Sequence, residues 1–404
     1  MKILVLHVHG TYNHGSFMMG INFIYYFSKI YPNSIFEVEL DSREDYLRLK
    51  KEVGGNIKIV RKERIQYKKD NIIENILSKK KFLFDRPKQI IEENYDAVVI
   101  LGGDNISEYY SGWKVVIRLR ELSILSRKIK VFLVGQTIGP FYSWRKIFAR
   151  HCLKNIYIYL RDPLCAEYIT KELKMNNFNV CADLAFLDLP FMREEVLSKY
   201  KLEKEKYITI IPSGSINQYT SSRKKYVSRW IEIIKDLIKK NQFAHYKIAL
   251  LAHVLKEKEG DENVINEVFN TLSPKEKERV CKITEALLPS ETRAILGGGL
   301  FSISGRMHGA ISTFQKGKPS ISLSYSVKYK GVIGMSLKRQ DLIIEAKGND
   351  LWETGKIKQM IDEKIDYLLS NYEKIKKEIK EQVSILKDKV IWQIKDIANK
   401  IENS

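Results

Sequence analysis

Short apolar runs alternate with longer amphipathic stretches over most of the chain. Lys2–His9, Asp96–Leu101, Lys130–Val134, Ile156–Leu160, Tyr207–Ile211, Tyr246–Ala252, Leu300–Ser304 and Ser320–Leu323 read as strands. Several are almost continuously apolar, the pattern of parallel strands covered on both faces. The apolar spacing in Phe17–Ile30 and Ser143–Leu153 predicts helices between them. Strands alternating with helices in this way predict doubly wound, parallel α/β sheets. The alternation stops at residues 188–206, a charged stretch without a strand, and resumes to about residue 345. That break divides the chain into an N-terminal Rossmann-like domain over residues 1–190 and a second one over residues 191–345.

Residues 346–404 follow a different period. Ile357, Ile361, Ile365, Leu368, Tyr372, Ile375, Ile379, Val383, Leu386, Val390, Ile394, Ile397 and Ile401 step by three or four. This is one apolar stripe on one or two long helices, with Lys and Glu on the other faces. Docking of the stripe on the body of the protein satisfies it, and so does a coiled-coil dimer.

Composition narrows the class. A chain of 404 residues with 44% hydrophobic and 29% charged positions is large enough for two cores and is not a disordered chain. A formal net charge of +20 favours anionic partners without choosing among phosphorylated metabolites, anionic lipid and nucleic acid. Much of the surplus lies in Lys79-Lys80-Lys81 and in the Lys-rich C-terminus, so a solvated basic surface also accounts for it. It is scattered rather than clustered with aromatics on one face, and no nucleic-acid partner is expected. Cys152, Cys165, Cys181 and Cys281 form no C-x-x-C pair, so neither a zinc site nor a disulfide framework is expected. The apolar run Ile3–Leu6 is too short for a signal peptide, and no stretch approaches the ~20 apolar residues of a membrane span. The expected location is the cytoplasm, with at most peripheral contact with an anionic membrane.

The candidate chemistry sits in the turns after the predicted strands, where open α/β sheets hold ligands. His9-Gly10-Thr11-Tyr12-Asn13-His14-Gly15-Ser16 leads from a strand into a helix. Free N–H groups at such a helix start suit a phosphate or carboxylate; a plain turn with Ser16 as cap is the alternative. Leu101-Gly102-Gly103-Asp104-Asn105 gives a turn where a ligand can approach the backbone, or a turn with Asp104 as cap. Gly135-Gln136-Thr137-Ile138-Gly139-Pro140-Phe141 reads as a rigid loop on the same edge. Arg161-Asp162 ends a strand before Pro163, placing Arg161 to clamp an anion or to pair with Asp162 at the surface. Ser304-Gly305-Arg306-Met307-His308-Gly309-Ala310 ends a strand and opens a helix running to about Lys316. A guanidinium and an imidazole two residues apart at a helix N-terminus can bind an anion and move a proton. Lys328, in Ser324-Tyr325-Ser326-Val327-Lys328, supplies a second cation or a solvated basic loop.

In order and spacing these motifs resemble the polysaccharide pyruvyl transferase family, over roughly Gly10 to Arg339. The matching segments also include Asp183-Leu184-Ala185-Phe186 and Gly317-Lys318-Pro319. The resemblance implies a GT-B-like fold, with two Rossmann-like domains facing across a cleft and long C-terminal helices. It implies phosphoenolpyruvate as donor, a saccharide or lipid-linked saccharide as acceptor, and a pyruvyl ketal as product, with no cofactor besides the donor and no metal. Arg306 and His308 match the family's Arg-Leu-His donor site, with Met307 for Leu, and Arg161 and Lys328 join them as donor-binding residues. Asn13, Gly15, Gly102, Gly103, Asp104 and Gln136 fall to acceptor or loop contacts. Ser16 stands where many members have Asp, which bears on acceptor binding, and Cys165 stands where a Ser is common. A nucleotide-sugar glycosyltransferase on the same fold is the alternative.

Overall fold

A computed structural model describes residues 1–8, 10–63, 85–109 and 112–403. His9 and the Lys79–Lys81 run lie outside the described residues. The chain forms two compact units. The first comprises Met1–Thr11, Ser16–Leu184 and Leu386–Ser404, and the second Tyr12–Gly15 and Ala185–Ile385.

The first unit is built on seven parallel strands: β1 (Lys2–Leu6), β2 (Ile35–Leu40), β3 (Lys58–Glu63), β4 (Ala97–Ile106), β5 (Lys130–Ile138), β6 (Tyr157–Leu160) and β7 (Phe178–Val180). Their order is β3-β2-β1-β4-β5-β6-β7, so the direction of winding reverses between β1 and β4. Leu4, Val98, Leu133 and Ile158 project from the strands onto Leu119, Leu122 and Leu153 of the covering helices. Apolar side chains on both faces of each central strand leave the sheet no exposed face, which is why β1, β4 and β5 read as unbroken hydrophobic runs.

The second unit repeats the scheme with six parallel strands: β8 (Tyr207–Ile211), β9 (Lys247–Leu251), β10 (Val280–Ile283), β11 (Ser302–Ser304), β12 (Ser320–Ser324) and β13 (Ile343–Glu345). The order β10-β9-β8-β11-β12-β13 puts its reversal between β8 and β11. The C-terminal stripe lies on two helices, Lys356–Ser370 and Tyr372–Glu402, and docks within the chain. Its aliphatic members are buried, and the half-buried Tyr372 donates its hydroxyl to the Leu300 carbonyl at 2.8 Å.

Five strands were not legible in the apolar runs. β3, β7, β10 and β13 are sheet edges, where burial on one side suffices and charged residues are tolerated. β2 is internal but carries Glu37 and Glu39. Glu39 remains inside because Arg86 reaches it at 2.9 Å and also pairs with the buried Glu121. Two expected loops are strand instead. Gly102–Asp104 continue β4, with a register shift between Gly103 and Ile106, and Gln136–Ile138 continue β5. A Cβ on Gly102 would overlap the Gly135 carbonyl, so glycine lets the two strands close at that point.

This close approach has a measurable consequence. Gly102→Ala should destabilise the protein by about 1–3 kcal/mol through overpacking. Gly55→Ala, where an added Cβ meets nothing within 4 Å, should be neutral or slightly stabilising in the same urea titration.

Candidate active site

Turns from three strands of the second sheet gather around one carboxylate. β8 runs into Ser213-Gly214-Ser215, β9 into His253-Val254, and Asp261 opens the helix Asp261–Thr271. Asp261 is fully buried. Its Oδ2 accepts the N–H groups of His253 and Val254 at 3.0 and 2.9 Å, and its Oδ1 accepts that of Gly214 at 2.7 Å. The same Oδ1 receives Arg306 Nε at 2.9 Å and Nη2 at 2.8 Å. Arg306 follows β11 and precedes the helix Met307–Gln315. Its Nη1 donates to Ser215 Oγ at 3.1 Å and its Nη2 to the Glu259 carbonyl at 3.2 Å. A guanidinium has five N–H donors. Four are engaged by these contacts, which leaves one on Nη1 among the described residues. Burial alone would lower the Arg306 pKa, but the charge and hydrogen bonding of Asp261, with smaller contributions from nearby groups, together raise it.

The turn that presents Arg306 is pinned from below. Tyr219 and Tyr329 donate their hydroxyls to the Gly305 carbonyl at 2.6 and 3.1 Å. Tyr325, after β12, accepts from Lys328 Nζ at 3.0 Å, and that ammonium lies 4.8 Å from the Tyr325 ring centre. The phenols of Tyr325 and Tyr219 also help hold Arg306 protonated.

His308 stands on the first turn of its helix, and its ring lies on Gly15, where any Cβ would overlap it. Gly15 comes from the Tyr12–Gly15 turn, which belongs to this unit and pairs with the segment after β9. The His14 N–H donates to the His253 carbonyl at 3.3 Å and the Leu255 N–H to the Tyr12 carbonyl at 3.1 Å. The buried His14 ring shares a 3.0 Å hydrogen bond with Thr292 Oγ1 and meets His253 edge-on, with centroids 5.3 Å apart. His253 is itself buried, and its Nε2 has no hydrogen-bond partner among the described residues. Burial pushes its pKa well below the ordinary 6.5, and the charges of His14, His308, Arg306 and Arg293 push the same way. Three imidazoles therefore sit within one turn-rich edge, with His253 held neutral. Among the described residues no His, Cys, Asp or Glu group is arranged to hold a metal.

The remaining sequence-derived residues lie in the first unit. Arg161 follows β6 and is fully buried; its Nε donates to Thr137 Oγ1 at 2.8 Å and its Nη1 to Asp183 at 3.0 Å. Its partner is Asp183, 22 residues on, while Asp162 caps the helix Pro163–Tyr168 by accepting the Cys165 N–H at 2.8 Å. Burial opposes the charge on Arg161, but Asp183, Asp104 and Asp162 together raise its pKa. Gln136 is buried and ties β5 to β4 through the carbonyls of Ile100 and Leu101. Burial pushes the Cys165 thiol up to about 12, so it has no nucleophilic character. At this sheet's reversal His7, with φ of 71°, meets Asn105 and Arg118. Thus Arg306, His308, Lys328, Asn13 and Gly15 share the second unit, and Arg161, Gly102, Gly103, Asp104 and Gln136 the first.

Sequence reasoning missed Asp261 and His253. Gly260-Asp261 ahead of Val264, Ile265 and Val268 is a helix-start signal, but nothing local ties it to an arginine 45 positions away.

Residues 13–327 match the family model described as polysaccharide pyruvyl transferase. The chain belongs to that family. Its members, as the family's description states, are transferases acting on polysaccharide. No curated protein matches the sequence significantly. Among solved structures, UDP-GlcNAc 2-epimerase from Neisseria meningitidis bound to UDP-GlcNAc superposes with a TM-score of 0.62 at 11% identity, covering 99% of this chain and 100% of that one. A glycosyltransferase from Rickettsia africae ESF-5 gives 0.58 at 13% identity over 99% and 98% of the two chains. MnaA from S. aureus, solved with UDP, gives 0.58 at 12% identity over 89% and 88%. At such identities the likeness is one of fold, and it confirms the expected GT-B-like, two-sheet α/β class.

Two outcomes follow for this pyruvyl transferase family member. Asp261→Ala strands a buried guanidinium and three N–H groups, and should cost about 3–5 kcal/mol in urea unfolding. His253 contributes a pH dependence. Below its unfolded pKa of about 6.5 the unfolded chain binds a proton that the folded chain refuses, so stability falls with acid, by at most about 1.4 kcal/mol per pH unit. Stability curves for His253→Gln between about pH 7.5 and pH 5 should be flatter than those of the parent.

Proposed function

We propose that this protein transfers the pyruvyl group of phosphoenolpyruvate onto two hydroxyls of a saccharide, free or lipid-linked, giving a pyruvyl ketal. The observation that carries the reading is the fixed Arg306, with His308 two residues on, at the reversal point of the second sheet. Such reversal points are where doubly wound sheets receive ligands.

In this reading the donor's phosphate and carboxylate lie against the first turn of the helix Met307–Gln315. The N–H groups at that helix start, the remaining N–H of Arg306 and the Lys328 ammonium supply positive potential. Because Asp261 already balances Arg306, that potential comes mainly from the helix end and Lys328. His308, protonated, gives its proton to C3 of the donor, which leaves an oxocarbenium centre at C2. A saccharide hydroxyl adds there and loses its proton. The C2–O bond to phosphate then breaks, and a second hydroxyl closes the ketal with loss of another proton. Protons are conserved if His308 regains one of the two released and the departing phosphate takes the other. His253, neutral and adjacent, presents an imidazole nitrogen that can accept a hydrogen bond from a hydroxyl. Asn13 and Gly15 are assigned to the acceptor, and Gly102, Gly103 and Asp104 to loop contacts within the first unit. Arg161, which the resemblance gives to the donor, is bonded to Asp183 inside the first unit, and Gln136, given to acceptor or loop contacts, ties β5 to β4 there.

His308→Gln should lower kcat by about 10²–10⁴ while leaving donor affinity within a few-fold. Thermal shift of the full chain with phosphoenolpyruvate, set beside UDP- and GDP-sugars, tests the donor. Ligand at about 100 times its Kd adds about 2.7 kcal/mol and raises Tm. A rise with a nucleotide sugar and none with phosphoenolpyruvate overturns the reading in favour of glycosyl transfer.

A further inference from the structure

We propose that the first unit carries a surface patch that seats on an anionic lipid bilayer, and this does not depend on which donor the enzyme uses. Two segments form it. Residues 107–109 follow β4 and residues 139–144 follow β5, so both lie at the carboxyl edge of the first sheet. They are tied together through Glu108. Its N–H donates to the Pro140 carbonyl at 3.1 Å, its Oε1 accepts the Tyr142 N–H at 2.8 Å, and its Oε2 pairs with Arg145 at 2.6 Å. The helices that follow, Gly112–Leu125 and Arg145–Leu153, pack side by side. The frame is therefore fixed by hydrogen bonds and packing.

On that frame Tyr109, Trp113, Tyr142, Trp144 and Ile147 are all exposed, Trp113 and Ile147 to 75% each. Trp144 is not tucked into the core; its ring lies edge-on to Phe148 at 5.9 Å, with the Arg145 guanidinium 5.8 Å from it. Isolated exposed apolar residues are ordinary, but five large ones on two adjoining segments and the first turns of the helices that follow them mark an interaction surface.

Charge identifies the partner. Residues 112–154 contain ten Lys or Arg and one acidic residue, Glu121, which is buried beside Arg86. Lys114, Arg120, Arg150 and Lys154 are exposed on the same two helices or at their ends. Part of the basic surplus thus stands beside the aromatics, with Lys114 next to Trp113 and Arg145 next to Trp144. Trp and Tyr rings settle at headgroup depth, aliphatic side chains reach the acyl boundary, and Lys and Arg meet lipid phosphates. Nucleic acid would use the cations and rings but gives Ile147 no apolar environment. No helix among the described residues is long and apolar enough to cross a membrane, so the contact is with the surface.

Flotation of the full chain with vesicles tests this, using phosphatidylcholine alone and phosphatidylcholine with about one quarter phosphatidylglycerol, at near-physiological salt. The protein should float with the anionic vesicles and only weakly with the neutral ones. W113S/I147S should reduce the partition coefficient about tenfold or more, and K114E/R150E should reduce it on anionic vesicles only. All four sites are exposed, so both variants should keep the parent Tm, which separates lipid contact from folding. Failure of the parent to float overturns the proposal. So does flotation unaffected by W113S/I147S, which would put the lipid contact elsewhere. If those substitutions instead change the sedimentation coefficient of lipid-free protein, the patch joins two copies of the chain and the proposal is wrong.

Discussion

The second unit depends on one buried carboxylate. Asp261 accepts N–H groups from the turns after β8 and β9 and binds the arginine after β11, so three separate strand ends are registered by two oxygen atoms. A fully buried carboxylate is tolerable only with partners of this kind, because an isolated charge there carries a large desolvation cost. The cost also makes the arrangement specific. Any shift of one strand end leaves either a bare charge or an unpaired N–H. Arg306 is thereby held in one orientation, and the His308 ring, two residues further, is set against Gly15.

Each sheet places a buried Arg–Asp pair after a strand, and the two pairs differ in what is left over. Arg161 is 1% exposed and faces three carboxylates, so its charge is absorbed by the fold. The Arg306 side chain is 13% exposed, is bonded to one carboxylate, and retains a donor. The same chemistry serves as a brace in one unit and as part of a candidate site in the other, and degree of burial with the number of neighbouring acids makes the difference. The histidines follow similar logic. His253 is kept neutral by burial and by the positive groups around it, while His308 sits at a helix start and is only partly buried. Imidazoles in unlike surroundings can take opposite roles in proton transfer.

The charge of the chain is likewise distributed by the fold. In the first unit cations are paired in the interior, as Arg86 is with Glu39 and Glu121, while an almost acid-free stretch is turned outward with its aromatics. The net +20 alone separates none of these uses.

By itself the sequence determined the class of fold and the family. Central parallel strands must be apolar on both faces, so β1, β4, β5 and β8 announce themselves, and the stripe of the C-terminal helices follows from a three-to-four spacing. Glycine-rich strand ends and Arg306-Met307-His308 are local patterns, readable for the same reason. The edge strands escaped because an edge needs no continuous apolar run, and β2 escaped because Arg86 balances its buried glutamate from 47 positions away. Only the tertiary structure decided that Arg161 answers to Asp183, that Arg306 answers to Asp261, and that His253 joins His14 and His308. Pairing between distant side chains depends on where loops from different strands converge, and the one-dimensional spacing of residues carries no record of that convergence.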